Sequence, residues 1–312
     1  MEFAEKLKRR RLYSHVRTHE AGLTLADYLA ALFSRFDRAG WVREIQSGLV
    51  TVNGRPADAV QRLREHDCVA YFPGERPEPE AELAYRTLYA DDALVVLDKP
   101  GNLCVHPTGP FFKHTLWHLA GEEYGELHFV TRLDRETSGV VLAARSRKIA
   151  ALLSAPEFAI AKEYLALVIG SFPEEVTARG VLVPDWASSV PKKRRFLPDA
   201  PPERGEWAET LLRRESFVPP DMTLVRAVLH TGRQHQIRAT LYSLGFPVVG
   251  DKLYGVDETL YGKIRARALT AEDMEKLRMG RQALHAVKLE FRHPVTGRWV
   301  CCESPCPFGG EK

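Results

Sequence analysis

Residues 128–146 read HFVTRLDRETSGVVLAARS, a charged turn that runs directly into an apolar strand. One carboxylate, Asp134, stands between two guanidiniums, Arg132 and Arg135. Residues 140–144, Val-Val-Leu-Ala-Ala, are all apolar, the kind of run that a sheet buries. Gly139 lies between turn and strand, and glycine relieves steric limits where a chain reverses. A reactive group on a loop stitched to a core strand is held rigidly at a pocket rim. Flanking cations favour an ionised carboxylate, typically by about 1–3 pKa units. Asp134 is therefore expected to stay charged, suited to nucleophilic or electrostatic work and unsuited to acting as a general acid. On these residues alone, a surface ion-pair network explains the run equally well.

Working outward, the run gains company. Arg132-Leu133-Asp134-Arg135 followed by Thr137-Ser138-Gly139 resembles the catalytic motif of the RluA-type RNA pseudouridine synthases. Asp98-Lys99-Pro100-Gly101 with Val105-His106-Pro107 is similar to that family's upstream strand-and-turn motif. Lys162-Glu163-Tyr164-Leu165-Ala166-Leu167-Val168 resembles the strand that brings a pocket tyrosine. Gly232-Arg233-Gln234-His235-Gln236-Ile237-Arg238, continued by Gly250-Asp251 and Tyr254-Gly255, is similar to the third block, and Arg281-Gln282-Ala283-Leu284-His285-Ala286 to the last. The motifs stand in the family's order across about residues 85–305.

The resemblance implies an isomerase that breaks the N-glycosidic bond of an RNA uridine, turns the uracil and rejoins its C5 to the ribose. It implies neither cofactor nor metal. Asp134 would be the essential carboxylate, acting on ribose C1′, on the uracil ring or on departure of the base. Arg238 would be its ionic partner, since an unpaired carboxylate in an enclosed pocket is costly. Tyr164 would stack on the uracil, its phenol helping to move the C5 proton. Arg132 would fill the gap left by an extruded base. The chain departs from the family at Thr131, where histidine is usual, and at Ala239-Thr240, where valine-histidine is usual. Both are expected behind the pocket lining. The RNA would be ribosomal (large-subunit) or transfer RNA and the protein a monomer.

The front of the chain reads differently. Leu23, Leu25, Tyr28, Leu29 and Leu32 recur at roughly helical spacing, and Asp37 opens a second helical stretch with Trp41, Val42 and Ile45. Residues 48–54 form a strand entering an Asn53-Gly54 turn, the strongest short hairpin signal. Two helices and such a strand resemble the small alpha-L RNA-binding domain of a ribosomal small-subunit protein. By that resemblance Arg35, Arg38, Arg43 and Arg55 are the RNA-contact candidates. Residues 21–75 nevertheless hold six Arg and no Lys against seven acidic residues. A structural cap is the competing reading.

The expected organisation is a basic arm at 1–20 (Lys6, Lys8, Arg9, Arg10 and Arg11), the small domain at 21–72, a Pro- and charge-rich linker at 73–84, and the catalytic domain at 85–312. Strands are read at 95–97, 140–144, 164–169, 224–229 and 287–291, with a helix at 236–244 closed by Gly245. Their irregular order gives α+β and argues against a doubly wound parallel sheet. The resemblance adds a mostly antiparallel, bent mixed sheet with flanking helices, an RNA cleft across one face and the small α+β domain in front. Lys192, Lys193, Arg194 and Arg195, beside Phe196 in a Pro-rich stretch, read as a phosphate-gripping loop, with a solvated surface loop as the competing reading.

At 312 residues, with 45% hydrophobic and 27% charged, the chain is that of a globular protein larger than one typical domain. A net charge of +3 neither demands nor excludes a polyanion, because local clusters govern phosphate contacts. No stretch has the length of a membrane span or a signal-peptide core, so a cytoplasmic location is expected. Cys68, Cys104, Cys301, Cys302 and Cys306 form no disulfide framework and lack zinc-finger spacing. His106, His230, His235 and His285 read as structural histidines. Two rival functions remain: an RNA-binding or chaperone protein with a vestigial site, and a hydrolase pairing Asp134 with Glu136.

Overall fold

The computed structural model describes residues 3–8, 10–33, 35–74, 77–265 and 268–308. Arg9 of the basic run and Glu75 and Arg76 of the expected linker lie outside the described residues. The chain divides into two compact units, Met1–Pro79 and Glu80–Lys312. The division falls inside the stretch expected to link two domains.

The small unit runs α1 (Phe3–Lys8), β1 (Leu12–His15), α2 (Leu25–Leu32), α3 (Arg38–Gln46), β2 (Val50–Val52), β3 (Arg55–Pro56) and β4 (Cys68–Tyr71). Thr24 caps α2 by accepting from the Asp27 amide, and Asp37 caps α3 by accepting from the Gly40 amide at 2.7 Å. Asn53 and Gly54 turn the chain with φ of 51° and 77°, the left-handed pair that a two-residue hairpin requires. Leu25, Tyr28, Leu29, Trp41 and Ile45 bury one face of each helix on Val50, Val52 and Val69. Of the basic arm expected at 1–20, the part from Leu12 onward belongs to the small domain. The β1 strand pairs with β4, Leu12 opposite Tyr71, and the sheet order is β1-β4-β2-β3. Val16 is buried, and the Ser14 hydroxyl lies 2.7 Å from that of Tyr28. Ladder pairing and an apolar anchor fix a segment that composition alone makes look solvated.

The large unit opens with β5 (Arg86–Ala90), β6 (Leu94–Lys99), α4 (Leu116–Tyr124), β7 (His128–Phe129), β8 (Ser138–Ala144), α5 (Arg147–Leu153) and β9 (Ile160–Ile169). It continues with β10 (Glu175–Pro184), β11 (Arg194–Pro198), β12 (Glu206–Val218), β13 (Met222–Leu229), α6 (Gln236–Ser243), α7 (Thr259–Arg265), α8 (Ala271–Leu277), β14 (Leu284–Arg292) and β15 (Trp299–Glu303). One 11-stranded sheet results, in the order β11-β10-β12-β13-β9-β14-β8-β6-β5, with β15 beside β14 and β7 beside β8. Among the described strands only β14 and β8 run parallel, so the sheet is mixed but mostly antiparallel, and the fold is α+β. Every residue of β8 is buried, which explains why an unbroken apolar run marks it.

The parallel contact sets the centre of the unit. It joins His285 to Ser138 and Ala286 to Gly139. Gly139 has φ of 110°, and a Cβ there would stand 2.1 Å from the Ala286 carbonyl oxygen. Only glycine lets β14 approach so closely, and this approach brings residues 281–282 against the turn before β8. Helix α6 is closed as its sequence suggests. The Gly245 amide donates to Tyr242 and the Phe246 amide to Leu241, with Gly245 left-handed at φ 88°.

Candidate active site

The turn 132–137 is tied down from several directions. The Lys99 ammonium, fully buried at the end of β6, donates to the carbonyls of Pro100, Leu103 and Arg135 at 2.8, 2.8 and 3.2 Å. Burial pushes its pKa down to about 7. Arg281 donates to the Glu136 carbonyl at 3.2 Å, and Gln282 to the Thr137 hydroxyl at 2.6 Å. The Glu136 carboxylate accepts from Lys252 at 2.7 Å and from the Gln282 amide at 3.1 Å. Glu136 is thereby committed to holding the turn, which removes the carboxylate pair that a hydrolase reading needs.

Asp134 is what this scaffold presents. Its side chain is 34% exposed, and one oxygen accepts from Arg238 at 2.7 Å. The guanidinium comes from α6 and is itself gripped by Asp251, fully buried, at 2.6 and 2.8 Å. Asp251 also accepts from the Leu253 and Tyr254 amides, so its own direction is fixed by backbone. The guanidinium stacks on the Tyr254 ring, 4.9 Å from its centroid. A fork held at one end by Asp251 thus aims its remaining amino group at Asp134.

Burial works against ionisation of Asp134, yet Arg238 and then His235 hold its carboxyl below the usual range. The direction is the expected one, and its cause is Arg238, the partner that the resemblance implies, rather than the flanking arginines. Arg132 is exposed, and Arg135 pairs with Glu136 at 3.5 Å and lies over the Phe111 ring. Neighbours in sequence do not supply the charge; a residue 104 positions away does.

Tyr164, half-buried on β9, stands opposite Ala227 and Ala286 in its neighbouring strands. Burial, followed by the charge of Asp134, raises its pKa, so the phenol stays protonated. Thr131 is buried and its hydroxyl accepts from the Leu142 amide at 2.9 Å, a backbone-bracing role at the position where histidine is usual. Thr240 is buried within α6.

Two positions that sequence reasoning does not single out as site residues are Asp251 and His235. Asp251 carries no signal beyond its place in a motif. His235 reads as a structural histidine but lies with Nε2 3.8 Å from the free Asp134 oxygen and Nδ1 3.0 Å from the Tyr254 hydroxyl. His285 is buried between the Ser138 hydroxyl at 2.9 Å and the Ser304 carbonyl at 3.1 Å. Among the described residues, no three His, Cys, Asp or Glu side chains converge as a metal site requires.

The 192–195 cluster needs correction. Lys193 is 2% exposed and bound to Glu258 at 2.5 Å, with Asp185 at 3.9 Å, so it cannot grip phosphate. Arg194 pairs with Glu206 at 2.9 Å and opens the edge strand β11 rather than lying in a loop. Lys192 and Arg195 are exposed. Lys193 lies just before β11, its ammonium over the Tyr242 and Tyr254 rings at 4.7 and 5.9 Å, and this packing together with Glu258 separates it from its exposed neighbours. In the small unit Arg35, Arg38, Arg43 and Arg55 are all exposed, with Arg38 paired to Asp27 at 2.6 Å.

Comparison with known proteins gives the family. The family model described as RNA pseudouridylate synthase matches residues 93–243. Ribosomal large subunit pseudouridine synthase D of Nitrosomonas europaea is 30% identical over 304 residues, covering 92% of this chain and 82% of that protein. The chain belongs to the RluA-type RNA pseudouridine synthases. The protein of the same description from Xanthomonas campestris is 33% identical, over 92% of this chain and 86% of its own. Among solved structures, Human RNA Pseudouridylate Synthase Domain Containing 1 superposes with a TM-score of 0.56 at 23% identity, over 74% of this chain and 87% of that one, and supports the synthase fold. This synthase is an isomerase acting on RNA uridine. None of its described helices is long and apolar enough to cross a membrane.

Proposed function

We propose that this synthase converts uridine to pseudouridine in large-subunit ribosomal RNA, with Asp134 as the carboxylate that acts on the reacting nucleoside. The observation that carries the reading is the ionised, partly exposed Asp134 held by an Arg238 that Asp251 has locked in place. The names of the ribosomal large subunit relatives support the choice of RNA.

The reaction moves no group to or from the substrate. The N1–C1′ bond breaks, C5 bonds to C1′, C5 loses a proton and N1 gains one. An anion beside C1′ stabilises positive charge developing on the ribose, or adds to it. A preorganised carboxylate needs no reorganisation at that moment. Tyr164, kept protonated by burial, serves as a stacking face and hydrogen-bond donor and is poorly suited to removing the C5 proton. The uridine must leave the RNA stack, at a cost of a few kcal/mol. Exposed Arg132 occupies its place, while Lys192, Arg195 and the exposed arginines Arg35, Arg38, Arg43 and Arg55 contact phosphate.

Pseudouridine mapping tests this, by carbodiimide-stopped primer extension on ribosomal and transfer RNA from cells with and without the gene. Loss of one or more stops in large-subunit RNA is expected. Loss confined to transfer RNA would reassign the substrate, and unchanged stops in both would contradict the reading.

A further inference from the structure

His235 begins α6 in the left-handed region, φ 59°, yet its side chain makes no capping bond to the helix. Its imidazole therefore serves something else. The buried Tyr254 hydroxyl accepts the Arg194 backbone N–H at 2.8 Å and lies 3.0 Å from His235 Nδ1. An amide only donates, so among the described residues Nδ1 is the acceptor available to the phenolic hydrogen. A neutral imidazole accepting at Nδ1 carries its hydrogen on Nε2. That Nε2–H lies 3.8 Å from Asp134 Oδ1, while Arg238 already occupies Oδ2. The gap is longer than a hydrogen bond. Catalytic contacts in unliganded enzymes are commonly long and tighten with substrate, and the terminal torsion of an aspartate is soft.

We propose that His235 is a positioning residue for Asp134: its Nε2–H, oriented by the chain from the Arg194 amide through the Tyr254 hydroxyl to Nδ1, fixes the second carboxylate oxygen when RNA fills the site. The assignment rests on Asp134 being the acting carboxylate. Charged and titratable groups facing the imidazole are Asp134, Arg238, Asp251, Lys192 and Tyr254. Burial pushes the imidazole down to about 4, so it works as a neutral donor rather than a cation or a proton shuttle at neutral pH. Two donors from one helix start, Arg238 on Oδ2 and His235 on Oδ1, then define the plane of the carboxylate.

Paired substitutions separate this role from a structural one. His235→Asn keeps an acceptor for Tyr254 and suits the left-handed backbone, but falls short of Asp134. His235→Gln places an amide nitrogen near the Nε2 position. His235→Asn is expected to lower kcat about tenfold to hundredfold with KM nearly unchanged. It should also move the acid limb of the kcat profile upward, because a carboxylate deprived of a donor is easier to protonate. His235→Gln should recover most of kcat. Full activity in His235→Asn, or equal loss in both variants, would overturn the proposal. Nitrogen NMR of 15N-histidine protein, with His235→Asn for assignment, should show His235 bare at Nδ1 and protonated at Nε2 at pH 7. The opposite tautomer or an imidazolium would also overturn it. A wild type with the stated tautomer that isomerises no RNA would reject the reading of Asp134 while leaving the hydrogen-bond chain standing.

Discussion

The guanidinium of Arg238 that reaches Asp134 at 2.7 Å is held on its other side by Asp251, at 2.6 and 2.8 Å. Asp251 is fully buried, so removing its cation strands a carboxylate where water cannot solvate it. Arg238→Met is expected to cost about 3–5 kcal/mol of unfolding free energy, the range for breaking one side of a buried pair. Adding Asp251→Asn should recover part of that loss. Denaturant titration of both single variants and the double variant measures the coupling, and additive effects would contradict it.

The same pair makes a pH prediction. Both carboxyls have folded pKa values below the ordinary 3.8, because Arg238 outweighs the burial that opposes their ionisation. A depressed folded pKa gives stability that is present above the unfolded value and disappears as pH falls through the folded one. Wild type and Asp251→Asn should therefore differ in Tm by a nearly constant amount from pH 7 to about 5. The gap should narrow below about 3.8. A gap that widens on acidification would have the wrong sign.

How far these relations can be read from residues alone varies. The turn around Asp134 is legible because it joins charge, glycine and an apolar strand within a short run. Helix α6 is legible from its Gly245 stop, and the Asn53-Gly54 hairpin from its turn chemistry. The long strand β12 escapes a reading of the sequence because its half-buried alternation is filled with Arg and Glu, which look like a solvated surface. Which cation neutralises Asp134 is legible only through the family resemblance, which points to Arg238; by sequence proximity Arg132 and Arg135 would be chosen, yet Arg132 is exposed and Arg135 pairs with Glu136. Lys193 is misleading because its partners are distant in sequence. Four cations in a row carry no mark of the one that Glu258 and the Tyr242 and Tyr254 rings enclose.

That split within 192–195 is testable by salt. Charge reversal of Lys192 and Arg195 should weaken RNA binding and reduce the slope of log K against log salt by about 1 for each phosphate that is no longer neutralised. Lys193→Met should lower thermal stability while leaving that slope unchanged. A slope that follows Lys193 and ignores its exposed neighbours would contradict the assignment.

The most direct test is a single-turnover assay of Asp134→Asn on RNA carrying the mapped uridine. The substitution keeps the shape of the side chain and removes the anion that Arg238 stabilises. The expected result is RNA affinity within about twofold of wild type, as for a group that acts mainly on the transition state, and no detectable pseudouridine. Pseudouridine formed at a rate near that of wild type would remove Asp134 from the chemistry.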